Sequence, residues 1–339
     1  MKNKDKILFI YPLFSTFVKA DFDILSERFV VSKHQYVHKK QVAQHLLSQI
    51  KLLFWLLGNI SSSKAVYIWF ADYHSFLPIL FAKLLNKKSF LVLGGYDVTY
   101  IPSLDYGSLN NPIRSFCTKQ SIKNATLNLA VSQFVYNQAI KIIPSANVTV
   151  LYNGINLKNF ESVASDKKDI ILTVGIIDSL RRIKLKGIDV FVKVAKSMPK
   201  YDFVIVGINK EMQNVLGEIP ANLKMFGKVK HDDLIKFYKE SKVYCQFSIV
   251  ESFCLTLAEA MACGCTGVVA DAGALPEVVG ESGFIVSTDL MLEIIEKIDE
   301  AILLSEKSNL KAVKMIKDNF SLDDRKQNLI EAFRSCGIN

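Results

Sequence analysis

The feature that most limits what this chain can fold into is a twice-repeated series of short, continuous apolar runs, each followed by a helical stretch. In the first half the runs lie at 6–12, 29–31, 65–70, 89–95, 126–132 and 148–154. In the second they lie at 169–175, 201–207, 223–227, 243–248, 266–270 and 284–286. They are mostly unbroken β-branched or aromatic stretches, the pattern of parallel strands covered on both faces. Segments between them, such as 187–197 and 231–240, have helical spacing, the latter with Asp232 and Asp233 in its first turn. Strand–helix alternation in two sets predicts two open, doubly wound, Rossmann-like parallel sheets of the α/β class. Such sheets bind ligands beyond the carboxyl ends of their strands. Two of them facing across a cleft would hold a donor on one wall and an acceptor on the other.

The seam is expected near 153–168, where Asn153-Gly154 signals a turn and the polar stretch after Glu161 has no apolar period. This predicts an N-terminal, acceptor-binding domain over 1–155 and a C-terminal, donor-binding domain over 156–320. Ser321-Leu-Asp-Asp324 caps a last amphipathic helix with Leu329, Ile330 and Phe333, expected to pack back on the first domain over 321–339.

Charge is unevenly spread. Residues 1–155 carry 15 Lys and 2 Arg against 7 acidic residues, while the remainder holds 25 basic and 26 acidic side chains. A basic half points to nucleic acid, anionic lipid or an acidic substrate. No helix-turn-helix, RNP-like or finger pattern supports nucleic acid. Lys39, Lys40 and Lys51 bracket an apolar stretch over 46–57, too short for the ~20 residues of a membrane span. It reads as an interfacial helix on an anionic membrane, or as a core helix with a basic edge. The basic start precedes an apolar run too short for a secretion signal. Six scattered cysteines without histidine partners suit reduced thiols. A cytoplasmic protein, peripheral on the inner face of a membrane, is therefore expected.

Chemistry should lie just after strands, and the strongest signal is Glu251-Ser-Phe-Cys-Leu-Thr-Leu-Ala-Glu259, which opens an apolar helix running to Cys263. Free N–H groups at a helix start face anions, so Ser252, Phe253, Cys254 and Leu255 are candidates for holding a diphosphate. Glu251 and Glu259 lie about two turns apart if the helix is regular, which would aim both at one ligand. The alternative is an acid favouring the helix dipole plus an unrelated surface Glu.

That segment resembles the paired-glutamate motif of retaining glycosyltransferases of family 4, which have the GT-B fold. The opening strand ending at Gly175, Lys186-Gly187-Ile-Asp189, Phe226-Gly-Lys-Val229 and the loop 270–279 resemble further family segments in the same order. Asn153-Gly154-Ile-Asn156 resembles the family hinge. The resemblance implies that Glu259 holds the ribose hydroxyls and Glu251 contacts the donor hexose. It implies that Lys186 pairs with the diphosphate, and that Gly227-Lys228-Val229 frames the base. A fixed cation beside the leaving diphosphate lowers the barrier directly. The implied donor is a UDP-sugar in preference to a GDP-sugar, with no cofactor and no metal.

The pattern is broken in several places. Where the family often has Arg, this chain has Ile176, and Arg182 is expected to reach the same phosphate. A family Gly is Cys254, which is expected to narrow the room beside the phosphates. In Leu93-Gly94-Gly95-Tyr96-Asp97, Gly94 stands where the family often has His. The resemblance implies front-side attack with the leaving phosphate taking the acceptor's proton, so no dedicated base is needed. Gly94 and Gly95 would let backbone approach the sugar closely. Asp97 is an acceptor ligand, a loop brace or a turn cap. His74 touches the acceptor or is structural. The expected activity is hexose transfer to a membrane-associated glycan or lipid. A sugar-nucleotide epimerase and a non-catalytic sugar-nucleotide-binding partner are the alternatives.

Overall fold

A computed structural model describes residues 4–38, 41–160, 167–304 and 306–339. Lys39, Lys40 and residues 161–166 of the expected linker lie outside them. Two compact units emerge, one of Met1–Asn153 with Arg325–Asn339, the other of Gly154–Asp324.

The first unit holds strands β1 (Lys6–Tyr11), β2 (Val30–Gln35), β3 (Ala65–Trp69), β4 (Lys88–Leu93), β5 (Leu127–Ala130) and β6 (Val148–Val150). Between them run α1 (Thr16–Arg28), α2 (Val42–Asn59), α3 (Tyr73–Leu84), α4 (Pro112–Asn124) and α5 (Gln133–Ile142). The sheet order is β2-β1-β3-β4-β5-β6, with every pairing parallel. Helix starts follow their capping residues. Asp72 and Ser75 form a capping box on α3, Asn111 caps α4 ahead of Pro112, and Ser132 caps α5.

The second unit holds β7 (Lys168–Ile177), β8 (Asp202–Ile208), β9 (Leu223–Phe226), β10 (Ser241–Gln246), β11 (Thr266–Ala270) and β12 (Phe284–Val286). Its helices are α6 (Leu180–Leu185), α7 (Ile188–Ser197), α8 (Lys210–Val215), α9 (His231–Glu240), α10 (Leu255–Ala262), α11 (Leu275–Val279), α12 (Met291–Leu303) and α13 (Glu306–Asn319). The order β12-β11-β10-β7-β8-β9 is again parallel throughout. Phe191, Phe203, Ile205, Val243 and Val268 are among the residues of its core.

All twelve apolar runs are strands, because a parallel strand buried on both faces has no room for polar alternation. The direction of winding reverses between β1 and β3 in the first unit and between β7 and β10 in the second. Those two places are the switch points at which such sheets open a crevice.

A last helix, α14 (Leu322–Ser335), begins in the second unit and continues in the first. Within the first unit Phe333 stacks on Phe90 with ring centroids 4.0 Å apart, and Arg325 is buried in an ion pair with Asp21 at 2.7 Å. The Arg325 guanidinium also donates to the carbonyls of Leu151 and Tyr152, while Tyr67 donates its hydroxyl to Asp21. Every polar atom of this buried charge pair thus meets a partner of complementary kind, the condition under which burial is tolerated.

Candidate functional site

The second-unit site grows out of the switch point. After β7 the chain runs through α6 to Lys186, and after β10 it runs through Ser248 to Glu251. Gly187 makes the approach possible: its φ is +63°, and a Cβ there would sit 2.0 Å from the Phe247 carbonyl oxygen. The Ile249 N–H donates to the Leu185 carbonyl, tying the two loops together. On the far side Gly273 lies against the Glu251 backbone, and the Ala274 N–H donates to the Glu251 carbonyl at 2.8 Å.

Held this way, Lys186 donates to Glu251 Oε1 at 2.6 Å, in a pair largely shielded from solvent. The same oxygen accepts from the Ser248 hydroxyl at 2.8 Å. Ser248 in turn accepts from Gln246 Nε2 at 2.6 Å, and Gln246 Oε1 accepts from the Tyr244 hydroxyl at 2.9 Å. Tyr244 and Thr256 are hydrogen-bonded at 2.8 Å, which carries the relay onto α10. Tyr244, Gln246 and Ser248 alternate along β10 and its extension, so they share one face of the sheet. The relay commits one oxygen of Glu251 twice.

Helix α10 starts later than the motif suggests. Glu251 lies four residues before Leu255, in the loop, so the two glutamates are not separated by two regular helical turns. Cys254 occupies the cap position with φ +73°, a left-handed conformation that favours glycine. Its thiol does not narrow an anion site. It is buried against Gln246 and Thr256, and burial pushes its pKa up to about 12. Phe253 is buried edge-on against the Phe320 ring, so only backbone remains to meet a ligand there. Ser252 stays half-buried in the loop, and Leu255 is the first helical residue.

Glu259, on α10, accepts from the Tyr238 hydroxyl at 3.1 Å and lies 3.1 Å from His231 Nε2. The hydrogen bond that His231 donates to Glu259 raises its pKa, against an opposing effect of burial. His231 opens α9 directly after the loop 227–230 that contains Val229, so this loop and Glu259 border one region. Gly175, inside β7, faces the aliphatic part of Lys186. Arg182 makes local contacts. Its guanidinium pairs with Asp178 at 3.3 Å and donates to the Ile176 carbonyl, an i,i+4 contact made within its own turn.

In the first unit the corresponding switch point carries a pocket of about 230 Å³ lined by Pro12, Phe70, Ala71, Asp72, His74, Tyr96, Asp97 and Ser108. Asp97 is the brace of this pocket: its carboxylate accepts from the N–H groups of Ala71, Gly94 and Gly95. Burial raises its pKa to about 6 despite those three donors. Gly94 does not leave its space to a sugar. A Cβ there would lie 2.1 Å from Phe70 Cε1, so the Phe70 ring already fills the room. Gly95 takes φ +104° to close the turn. His74 is buried, stacks on Tyr36, and lies 2.9 Å from the Trp69 carbonyl as a donor through Nε2; burial lowers its pKa.

Sequence reasoning missed Ser248, Gln246, Tyr244, Thr256, His231, Tyr238, Phe70 and Ser108. A signal existed for the first three, as polar residues at alternate positions in an otherwise apolar strand. Among the described residues, no group of three or more His, Cys, Asp or Glu side chains is arranged to hold a metal ion.

Two doubly wound parallel sheets, with the second presenting a lysine–glutamate pair at its switch point, define a protein of the GT-B fold. Residues 155–318 match the family described as Glycosyl transferases group 1. That match lies within the second unit and covers a little under half of the chain. Over 241 residues it is 25% identical to N-acetyl-alpha-D-glucosaminyl L-malate synthase of Bacillus anthracis, covering 65% of this chain and 60% of that protein. Over 236 residues it is 26% identical to phosphatidyl-myo-inositol mannosyltransferase of Mycobacterium tuberculosis, covering 60% of this chain and 62% of that protein. The matches thus span about three fifths of the relatives' length. In structure the chain is similar to Anabaena Alr3699/HepE, solved in complex with UDP and glucose. The TM-score is 0.78 at 17% identity, covering 98% of this chain and 100% of the other.

Proposed function

We propose that the chain is a retaining glycosyltransferase that moves a hexose from a nucleoside diphosphate sugar, UDP in preference to GDP, to a membrane-associated glycan or lipid acceptor. The observation that carries this reading is the Lys186–Glu251 pair at the second unit's switch point, with Glu259 on the helix that follows. A cation fixed there meets the charge that grows on a departing diphosphate, where a preorganised electrostatic contact acts most strongly. The second oxygen of Glu251 accepts from a hexose hydroxyl, and Glu259, oriented by Tyr238 and His231, accepts from a ribose diol. In the transfer, the bond from the anomeric carbon to the diphosphate breaks and one to the acceptor oxygen forms. The acceptor's proton passes to the leaving phosphate. Asp97 is fully engaged by three backbone donors, which suits a brace better than a base. The relative from Anabaena, seen with UDP and glucose, favours the same donor class.

The membrane part of the reading rests on α2. Leu46, Ile50, Phe54 and Leu57 are exposed on it, while Leu52 and Leu56 are buried. The exposed four fall within roughly a quarter of the helix circumference, and Leu47 widens the strip. No helix among the described residues is long and apolar enough to cross a membrane. An apolar strip on a unit with a basic excess fits a helix lying in an anionic lipid surface. A mannosyltransferase named for phosphatidyl-myo-inositol is among the relatives.

Labelled UDP- and GDP-hexoses incubated with a membrane lipid extract, with and without EDTA, test the reading. We expect label in the lipid or glycan fraction from one donor, with the anomeric configuration kept and no loss in EDTA. Donor turnover without any acceptor would identify an epimerase, and binding without turnover a non-catalytic partner. Flotation with phosphatidylglycerol vesicles tests the surface: Phe54→Asp should release protein that the wild type leaves bound, and equal flotation of both contradicts it.

A further inference from the structure

Phe70 stands out in the first unit. It follows β3 directly with φ +69°, a conformation that an aromatic side chain adopts only under strain. Its N–H still donates to the Val92 carbonyl, so the strain begins at the last rung of the ladder. The ring's Cδ1, Cε1 and Cζ edge rests on Gly94, and Phe17 and Trp69 pack around it. Any side chain at position 94 would displace it. The same pocket contains a second anomaly. Ser108 is completely buried, and its hydroxyl has no hydrogen-bond partner. A buried hydroxyl without a partner costs free energy unless a ligand supplies one.

We propose that Phe70 and Ser108 form a pyranose subsite, the Phe70 ring stacking against the apolar face of the acceptor's sugar and the Ser108 hydroxyl bonding one of its hydroxyls. This rests on the reading of the chain as a glycosyltransferase and adds the ring form of the acceptor to it. The chemistry fits each part. The C–H groups of one pyranose face are weakly positive and meet the negative face of an aromatic ring. A concave, mostly apolar pocket with a few placed polar groups is the usual form of a small-ligand site. Asp97 ties Ala71, the residue after Phe70, to the turn at Gly94 and Gly95 through backbone hydrogen bonds. Phe70 thereby sets which sugar face enters, and Ser108 sets the position of one hydroxyl.

Saturation-transfer NMR with methyl gluco-, galacto- and mannopyranosides tests this on the full chain, irradiating aromatic protons. At least one pyranoside should receive saturation. The signal should fall about fivefold in Phe70→Leu and in Ser108→Ala, the loss of one stacking or hydrogen-bond contact. Phe70→Tyr keeps the ring and should retain it, and Gly94→Ala, which displaces the ring, should lose it. Ser108→Ala removes no internal hydrogen bond, so it keeps the test valid if a Phe70 variant folds poorly. No transfer to any pyranoside, undiminished transfer in both Phe70→Leu and Ser108→Ala, or displacement of the pyranoside by a nucleotide sugar would overturn the proposal. UDP is titrated into the same samples. UDP binding with no pyranoside contact sinks the subsite alone, while pyranoside contact with no nucleotide binding sinks the transferase reading and leaves a sugar site.

Discussion

The proposed chemistry turns on Lys186, the cation that donates to Glu251 at 2.6 Å. Replacing it with Ala should lower kcat by about a hundredfold, the typical cost of removing one preorganised electrostatic contact, with a smaller effect on donor KM. Steady-state kinetics within a few-fold of wild type would remove Lys186 from the mechanism. His231 offers a pH test. Glu259 raises its folded pKa above the ordinary 6.5. The group therefore adds stability that is fully present below about 6.5 and is lost as pH rises through the folded value. Melting curves of wild type and His231→Gln should differ most in acid and converge towards alkaline pH; a gap that widens with pH contradicts the pairing. Asp97 has the opposite bearing. Its folded pKa of about 6 lies above the unfolded one, so this group costs stability as pH rises from about 4 to 6.

At the scale of elements, the site depends on how closely α7 approaches the end of β10. Gly187 is the contact point, with no room for a Cβ beside the Phe247 carbonyl and a left-handed φ. Gly187→Ala should cost about 1–3 kcal/mol by chemical denaturation and move Lys186 away from Glu251. Unchanged stability would show that this approach is looser than the geometry requires. Here the sequence was legible in part. The pair Lys186-Gly187 and the glutamates Glu251 and Glu259 stood out by residue type and spacing, yet the helix start did not. Cys254 in a left-handed cap gives no sequence signal, and it places Glu251 in a loop. The relay from Tyr244 to Ser248 was equally hidden, because a polar side chain in a strand declares its partner only when the neighbouring loop is in place. The local partner of Arg182, Asp178 four residues earlier, was equally unmarked in the sequence. Phe70 escaped for a similar reason: an aromatic residue with positive φ looks, in sequence, like the end of any strand.

For the whole molecule, the two-sheet architecture could be read early because buried parallel strands demand unbroken apolar runs, and those runs are visible without any coordinates. The return of the last helix to the first unit had a weaker signature in Leu329, Ile330 and Phe333, and the buried Arg325–Asp21 pair had none, as its members are 304 residues apart. Arg325→Met leaves Asp21 buried without its cation and should lower stability by about 3–5 kcal/mol in a urea melt. A change below about 1 kcal/mol would mean that solvent reaches the pair. The central claim, that the second unit grips a nucleoside diphosphate through Glu259 and Lys186, is met most directly by thermal unfolding of wild type and Glu259→Ala with UDP, GDP and ADP. A ligand at a hundred times its Kd adds about 2.7 kcal/mol to the native state, enough to move the midpoint by several degrees. The account predicts such a shift with UDP in the wild type and its loss in Glu259→Ala; no shift with any nucleotide, or an equal shift in both proteins, would contradict it.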